Sequence, residues 1–408
     1  MNIIMSKTRR LGLVISVVIS SGFGWAAEAQ TEQTNSLAGG NTAFALDLYT
    51  RLSVKPGNLF LSPYSISTCL AMTYAGARAE TEAQMGRVLH FGPGQAGVHA
   101  SFGELQEQLT DTNYLKGIQL NIANGLWTQK GDPFLPPFLK TASDDYQAAV
   151  KQADFKTSAD AVSLEINDWV AQKTQDKIKD ILSPGDLDSA TRLVLANAIY
   201  FKGLWASPFK TAATSTQPFH LSANATADAH LMHQVEEAGY TTNTGFQAVE
   251  LPYSGNGLSM VILLPRQVDG LGQLEQQLSP AFLASTLAPM KKQQVSIFLP
   301  RFKLQSRNVL NETLSKMGMP DAFDAGKADF SGVNGTKSLV ISIVIHKAWV
   351  EVNEEGTEAA AATVASMGLG SAPKPPPVFR ADHPFIFLIR DTRSGSVLFI
   401  GRMADPRA

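Results

Sequence analysis

Seven apolar runs in the second half of the chain constrain the fold more than any other feature of the sequence. Each run is rich in β-branched or aromatic residues and is bounded by Gly, Pro, Asn or Ser, which predicts a β-strand. Several runs are apolar throughout, as in strands that are buried on both faces. The runs span residues 191–201, 248–253, 258–265, 295–302, 339–352, 384–390 and 396–401. The polar residues 391–395 between the last two runs predict a hairpin.

The first half of the chain has a helical period instead. Apolar residues recur four positions apart in two stripes, which predict core-facing helices. The first stripe is Phe44, Leu48 and Leu52; the second is Val162, Ile166 and Val170, extended by Trp169, Ile178 and Ile181. Helices followed by strands predict an α+β fold rather than alternating βαβ units. With no repeat and no Pro/Gly/Ser linker in its middle, the chain is expected to form one large domain.

The N-terminus has the pattern of a secretory signal peptide. Three basic residues, Lys7, Arg9 and Arg10, precede an apolar stretch over 11–24, and Ala27-Glu28-Ala29 supplies a small-x-small cleavage site. Serines and glycines interrupt the apolar stretch, so it is too short for a membrane span. We therefore expect residues 1–29 to be removed after Ala29 and residues 30–408 to form a secreted or periplasmic domain.

Charge and cysteine content narrow the possible partners. Removing 1–29 changes the formal net charge from −2 to −4, since three basic residues and one acidic residue leave. No run of Lys or Arg follows, whereas a nucleic-acid partner requires a basic patch. The single cysteine, Cys69, cannot form an internal disulfide and is expected to be a buried apolar group. The domain must therefore rely on a large core.

The motifs of common enzymes are absent. The sequence has no G-x-S-x-G, H-E-x-x-H, P-loop or dinucleotide fingerprint, so we expect neither catalysis nor a cofactor. His230 and His233 are close enough to share a metal only on a helix, and no third ligand is evident. A Ser-His-Asn set could be drawn from Ser62 or Ser65 with His346 and Asn197. These residues lie inside apolar runs, where polar side chains more often satisfy a neighbour.

The segment 354–377, EEGTEAAAATVASMGLGSAPKPPP, fits neither a core nor an ordinary loop. It has no apolar face to dock, and its prolines forbid a continued helix or a central strand. Strongly apolar runs stand on both sides, so the segment is tethered at both ends within one domain. Exposed loops of this length are usually functional or disordered, and tips made of small residues are where proteases cut. The pattern predicts an exposed functional loop.

The order of short motifs resembles that of the serpin family. The motif EEGTEAAAAT is followed by a variable stretch, then by FRADHPFIFLIRD (379–391) and GSVLFIGR (395–402). Five earlier segments are similar and stand in serpin order: NLFLSPYSIS (58–67), LANAIYFKGLW (195–205), VELPY (249–253), FLPRFKLQS (298–306) and ADFSGV (328–333). The resemblance covers essentially the whole chain after the signal segment, and is to an inhibitory, exported member of bacterial type.

The resemblance implies a serpin fold, with three β-sheets, about eight or nine helices and an exposed reactive-centre loop at about 354–377. It also implies a monomeric suicide inhibitor whose partner is a protease, with no cofactor, metal or membrane. In this mechanism the protease attacks the loop and is trapped as an acyl-enzyme while the loop inserts into the central sheet. The alternatives are an inhibitor of papain-like cysteine proteases and a non-inhibitory serpin that acts as a binding protein.

The residues at the start of the loop suit such an insertion. A strand that inserts between two others places alternate side chains in a packed interior, where overpacking costs about 1–3 kcal/mol per site. The alternate set is small and uncharged: Thr357, Ala359, Ala361 and Thr363, preceded by Glu354 and Gly356 in the hinge. The 14 residues from Thr357 to Gly370 span about 45 Å when extended.

Counting as in serpins places the reactive bond at Gly370–Ser371, with Leu369 and Met367 as alternative positions because the following stretch is longer than usual. A glycine there lacks the side chain that trypsin-like enzymes bind. Elastase-like and subtilisin-like serine proteases are therefore the favoured targets.

The resemblance also assigns roles to buried polar residues. Ser62, Ser65, Asn197 and His346 match the shutter, the polar cluster beneath the sheet that opens. Trp205 matches the breach, the top of the sheet where insertion begins. None of these residues is expected to be catalytic.

Overall fold

A computed structural model describes residues 22–92, 94–111, 113–131, 133–355 and 374–407. Its ten helical segments are α1 Gly22–Leu52, α2 Pro63–Tyr74, α3 Ala79–Val88, α4 Gln95–Gln108, α5 Pro136–Asp144, α6 Phe155–Lys173, α7 Leu271–Glu275, α8 Pro280–Leu287, α9 Asn311–Met317 and α10 Ser331–Asn334. The expected eight or nine helices agree with this count once single turns such as α10 are set aside. No helix in the described part of the chain is long and apolar enough to cross a membrane.

Two helices show how the sequence sets the boundaries. The Asp154 carboxylate accepts a hydrogen bond from the Thr157 N–H and caps α6. On this helix Val162, Ile166 and Val170 are buried, as their spacing predicts. At α1, Phe44 and Leu48 are fully buried. The predicted cleavage after Ala29 falls within the backbone of α1.

The fourteen strands of the described residues are β1 Leu59–Leu61, β2 Ile118–Gln129, β3 Ala149–Ala153, β4 Leu193–Gly203, β5 Ser215–Ser222, β6 Ala225–Thr242, β7 Phe246–Pro252, β8 Leu258–Pro265, β9 Lys291–Pro300, β10 Phe302–Val309, β11 Ile341–Val352, β12 Val378–Arg380, β13 Phe385–Asp391 and β14 Val397–Met403. Each of the seven apolar runs forms a strand, and the α+β prediction is confirmed. The hairpin β13–β14 turns through Gly395, whose φ of +73° favours glycine.

The smaller sheet has five strands in the order β10-β11-β4-β2-β3. Its centre is the pair β4 and β11, which run parallel and are directly hydrogen-bonded. The flanking pairs β10–β11 and β2–β4 are antiparallel. The segment 354–377 follows β11, so this central pair lies next to the feature that the sequence singled out.

The larger sheet contains nine strands, in the order β1-β14-β13-β8-β7-β6-β9-β12 with β5 beside β6. The 18-residue β6 pairs with β5 through its first half and with β7 through its last four residues. Its buried side chains change from odd to even positions between Leu231 and Met232. The expected three sheets would result if this larger sheet were divided at β6. Its hydrogen bonds continue through β6, however, so the described strands form two hydrogen-bonded sheets.

Sequence periodicity did not find every strand. β2 and β3 lie in the half that was expected to be mostly helical. His230 and His233 lie on β6, where side chains three positions apart point to opposite faces. His230 contacts the Thr216 hydroxyl and His233 contacts the Ser296 hydroxyl. Their interpretation as ordinary polar positions, rather than metal ligands, stays a prediction.

Candidate functional site

The described chain leaves β11 at Val352, continues to Glu355 and resumes at Lys374, so most of the predicted loop lies outside the described residues. Two groups of predicted site residues lie outside the described residues. They are the hinge positions Gly356, Thr357, Ala359, Ala361 and Thr363, and the reactive-bond positions Met367, Leu369, Gly370 and Ser371. The site that the structure describes is therefore the base of the segment and the sheet beneath it.

Glu354 is held at the base of the segment by two polar partners. Its side chain is buried, and its carboxylate accepts hydrogen bonds from Arg301 Nε at 2.5 Å and from the Thr214 hydroxyl. Burial raises the pKa of this carboxyl, but the bonds from Arg301 and Thr214 more than offset it, so the pKa of Glu354 lies below its usual value. The charged carboxylate thus fixes the start of the segment to the junction between β9 and β10 and to the chain before β5.

Trp205 joins the ends of the two central strands. It follows the end of β4, and its indole Nε1–H donates to the Asn353 carbonyl, just beyond β11, at 2.9 Å. The indole stacks on Tyr253 with ring centroids 4.6 Å apart and an interplanar angle of 7°. The resemblance placed Trp205 at the top of the sheet that opens. In the structure its hydrogen bond to Asn353 lies where β4 and β11 end.

His346 and Asn197 form the next connection between β4 and β11. They are paired in register, and the His346 Nδ1–Asn197 Oδ1 distance is 2.5 Å. The Ser62 N–H donates to His346 Nε2 at 3.1 Å, so Nδ1 carries the proton and donates to Asn197. Burial lowers the pKa of His346 to about 3, and the imidazole is therefore neutral.

The Asn197 amide extends this cluster to α2 and β2. Its Nδ2 donates to Ser65 Oγ at 2.5 Å and to Asn124 Oδ1 at 2.5 Å. Ser62 caps α2 by accepting from the Ser65 N–H, while its own hydroxyl donates to the Leu398 carbonyl at 2.7 Å. The structure thus brings together all four residues that the sequence grouped.

Asn124 is a member that the sequence analysis missed. It lies on β2, opposite Asn197, and places a third strand in the cluster. In the sequence, Asn124 stands beside Gly125 in a run of mixed polarity. Such a run does not indicate a buried strand, so the sequence contained no signal for the role of Asn124. With Asn124 included, hydrogen bonds cross β11, β4 and β2 in one row.

The geometry of this cluster argues against a catalytic triad. A nucleophilic serine needs its hydroxyl hydrogen-bonded to the histidine. Here the Ser62 hydroxyl bonds to Leu398, the Ser65 hydroxyl accepts from Asn197, and only the Ser62 backbone reaches His346. All these side chains are buried, so no substrate reaches them.

The remaining candidate groups are structural as well. Cys69 is fully buried on α2, and burial raises its pKa to about 12, so the thiol is neither ionised nor accessible. The interpretation of Cys69 as a buried apolar group is confirmed. Within the described ranges, no three His, Cys, Asp or Glu side chains lie close enough together to hold a metal ion.

The direction of the central strands defines what the site can accommodate. β4 and β11 are parallel, so a chain that turns back after β11 runs antiparallel to both. If the two strands separate, such a chain can form antiparallel ladders with each edge. Separation requires breaking the direct backbone pairing, the His346–Asn197 bond and the Trp205–Asn353 bond.

Comparison with known proteins identifies the family. A sequence model of the serpin family, described as serine protease inhibitor, matches residues 39–406. The chain belongs to the serpin family. It is therefore a protease inhibitor of serpin fold rather than an enzyme, and the resemblance inferred from short motifs is confirmed at this level.

Known relatives and solved structures align with nearly all of this serpin. It is 40% identical to the leukocyte elastase inhibitor of Homo sapiens and 41% identical to that of Sus scrofa, each covering 91% of this chain and 99% of the relative. The structure of uncleaved ovalbumin matches with a TM-score of 0.84 at 32% identity, covering 91% of this chain and all of that one. Arabidopsis AtSerpin1 in its native stressed conformation matches with a TM-score of 0.83 at 30% identity, covering 92% and 99%. These relatives are eukaryotic, so a bacterial type stays a prediction.

Proposed function

We propose that this serpin is an exported, monomeric suicide inhibitor of elastase-like or subtilisin-like serine proteases. The protease serine attacks the Gly370 carbonyl, the bond to Ser371 breaks, and the acyl-enzyme is trapped when the segment from Thr357 inserts between β4 and β11. The observation that carries the proposal is the direct parallel pairing of β4 and β11 at the base of that segment. Two parallel strands leave room, once apart, for one antiparallel strand between them.

Three further features support the proposal. The alternate residues Thr357 to Thr363 are small and uncharged, so they fit a packed interior. The His346–Asn197 bond and the Trp205–Asn353 bond are polar contacts that exchange partners as the strands separate, which is the role we assign to the shutter and the breach. The relatives named leukocyte elastase inhibitor favour an elastase-like target.

The target class follows from the residues around the reactive bond. Glycine at 370 leaves a deep specificity pocket empty, which disfavours trypsin-like enzymes, whereas Leu369 and Met367 provide apolar contacts before it. A papain-like cysteine protease is the second candidate. That family recognises mainly the side chain one position before the scissile residue, and Leu369 provides an apolar side chain at this position.

The proposal is tested by a covalent complex. Incubation with an elastase-like protease should give a gel band near the summed masses of serpin and protease, and this band should survive boiling in detergent. Mass spectrometry should show that the released C-terminal peptide begins at Ser371. A panel of serine and papain-like enzymes separates the two candidate targets. If every enzyme in the panel only cleaves the segment and stays fully active, the chain is a non-inhibitory serpin that acts as a binding protein.

Export has a separate test. Residues 1–29 have the charge and apolarity of a signal peptide, so the chain expressed from Met1 should be found outside the cytoplasm with Gln30 as its first residue. A chain that stays in the cytoplasm and begins at Met1 contradicts this part of the proposal.

A further inference from the structure

One row of the larger sheet exposes two valines, one on each side of a serine. Val235 on β6 and Val378 on β12 both pair in register with Ser296 on β9. Their side chains are 51% and 54% exposed. The described residues contain four other exposed large apolar side chains, Val54, Leu139, Leu164 and Val309, and none of these shares a strand row with another.

The next row of the same face is an ordered stack. Phe298 on β9 pairs in register with His233 and Arg380. The His233 ring stacks on Phe298 with centroids 4.2 Å apart, and the Arg380 guanidinium lies 4.4 Å from the centre of the Phe298 ring. Arg380 Nε in turn donates to the Asp382 carboxylate at 3.0 Å. We call Val235, Ser296, Val378 and this stack the Phe298 surface.

The Phe298 surface has the composition of a protein interface. Interface cores are enriched in aromatic residues and Arg, and apolar residues clustered on a surface mark interaction sites. His233 is also held by Ser296, through its Nε2 at 3.1 Å from the hydroxyl. Because these side chains already make fixed contacts, little conformational entropy is lost when a partner covers them.

The chain outside the described residues indicates which partner lies there. The predicted reactive bond ends at Ser371, the described chain resumes at Lys374, and Val378 is the first residue of β12. The seven steps from Ser371 to Val378 span at most about 25 Å, less than the diameter of a small domain. Three consecutive prolines, Pro375 to Pro377, make this connection stiff. A protease bound at Ser371 is therefore kept close to β12.

We propose that the Phe298 surface is a second contact for the target protease, on the side that follows the reactive bond. This inference rests on the proposed function and adds a specificity determinant outside the loop. The fitting partner is a protease whose cleft is bordered, on the side of the leaving peptide, by a loop with an apolar or aromatic tip. Such a contact speeds formation of the initial complex without affecting insertion.

Charge substitutions in the valine row test the proposal. Val235→Glu and Val378→Glu should each lower the second-order rate constant for complex formation with an elastase-like protease about tenfold, because the partner would then cover an unpaired charge. Val54→Glu and Leu164→Glu are matched controls, because these side chains are 83% and 65% exposed on other parts of the molecule. Their rate constants should stay within about twofold of the wild type. All four variants should keep the wild-type stoichiometry, since the hinge is unchanged.

A protease with its catalytic serine replaced by alanine separates binding from trapping. Its affinity for Val235→Glu should fall by the same factor as the rate constant. Equal rate constants for Val235→Glu and Val54→Glu overturn the inference while leaving the proposed function intact. If the wild type traps no protease, the proposed function fails and the inference fails with it. If the wild type dimerises in sedimentation velocity and Val235→Glu does not, the surface contacts a second copy of the chain, which also overturns it.

Discussion

His346 on β11 donates its Nδ1–H to the side-chain oxygen of Asn197 on β4, 2.5 Å away, across the one boundary of the smaller sheet where an inserted strand would separate the two. The two residues are also register partners, so the side-chain bond and the backbone ladder lie in the same row. Opening the sheet at this point breaks both. The stability of the described conformation and the ease of opening are therefore coupled through this pair.

Removing the Asn197 side chain should lower the stability of the intact protein. Asn197→Ala leaves the His346 Nδ1–H and the Asn124 side-chain oxygen Oδ1 buried without this partner, at a cost of about 1–3 kcal/mol for each group. The melting temperature, followed by circular dichroism, should fall by several degrees. Asn224→Ala, at an exposed turn, is the control and should not shift it. An unchanged melting temperature for Asn197→Ala contradicts the hydrogen-bonded cluster.

Acid should destabilise the protein through His346. Burial depresses its pKa to about 3, whereas an unfolded histidine titrates near 6.5, so below that pH the unfolded chain binds a proton that the folded chain does not. The contribution is fully present above pH 6.5 and is lost as the pH falls towards 3, by about 2 kcal/mol between pH 7 and pH 5.

Urea unfolding at several pH values measures this effect, and His346→Gln should show a shallower loss over the same window. The comparison with His346→Gln is needed because burial also lowers the pKa of His99, to about 4. That contribution is common to both proteins and cancels. Parallel pH profiles for the two would show that His346 does not titrate in this way.

Trp205→Phe should loosen the ends of the central strands. The change keeps an aromatic ring against Tyr253 but removes the N–H that donates to the Asn353 carbonyl. Loss of about 1 kcal/mol corresponds to roughly fivefold faster amide hydrogen exchange over residues 352–355. The control is Trp169→Phe on α6, where the indole packs edge-on against Trp127 of β2, and it should leave this exchange unchanged. Equal exchange in the two variants would mean that the Trp205 bond does not restrain the strand ends.

Thr357→Arg should convert the inhibitor into a substrate. In the proposed mechanism Thr357 belongs to the alternate set that insertion buries, and an unpaired buried charge is costly enough to stall the strand. The number of inhibitor molecules consumed per trapped protease should rise well above one, as measured by gel densitometry. Glu358→Arg carries the same side chain on the opposite face and should stay near the wild-type value. If the two variants behave alike, the inward assignment of Thr357 is wrong.

Gly370→Arg should create rapid trypsin inhibition, because it supplies the charged anchor that trypsin binds without altering the hinge. Leu369→Arg is the matched variant one position earlier and should be cut without efficient trapping. The readout is the rate of formation of a detergent-resistant trypsin complex. If Leu369→Arg inhibits and Gly370→Arg does not, the reactive bond follows residue 369 instead.

The strands that sequence alone predicted share a local signature. β8 matches its apolar run, Leu258–Pro265, at both ends, because all eight residues are buried and the run is bounded by Gly and Arg. The hairpin β13–β14 was likewise found from two apolar runs around a polar turn. Where burial on both faces makes a strand continuously apolar, composition is sufficient to locate it.

β2 and the polar cluster show where this reasoning ends. β2 contains Asn121, Asn124 and Gly125, which have low strand propensity, and its structure depends on pairing with β4, about 70 residues away in sequence. Ser62 and His346 meet across 284 residues. Residue type alone suggested a Ser-His-Asn set, and the resemblance to a family grouped these residues as a polar cluster, since neither spacing nor periodicity specifies a contact of such range.

The parallel pairing of β4 and β11 has a consequence for laboratory evolution of this protein. Nine register pairs join the two strands, and a substitution that tightens any of them also raises the barrier to parting them. If trapping proceeds by the proposed insertion, selecting variants for heat resistance enriches slow inhibitors, in which the protease deacylates and escapes before the segment is inserted. Thermal stability and the speed of trapping depend in opposite directions on the same nine register pairs, so the two properties must be screened together.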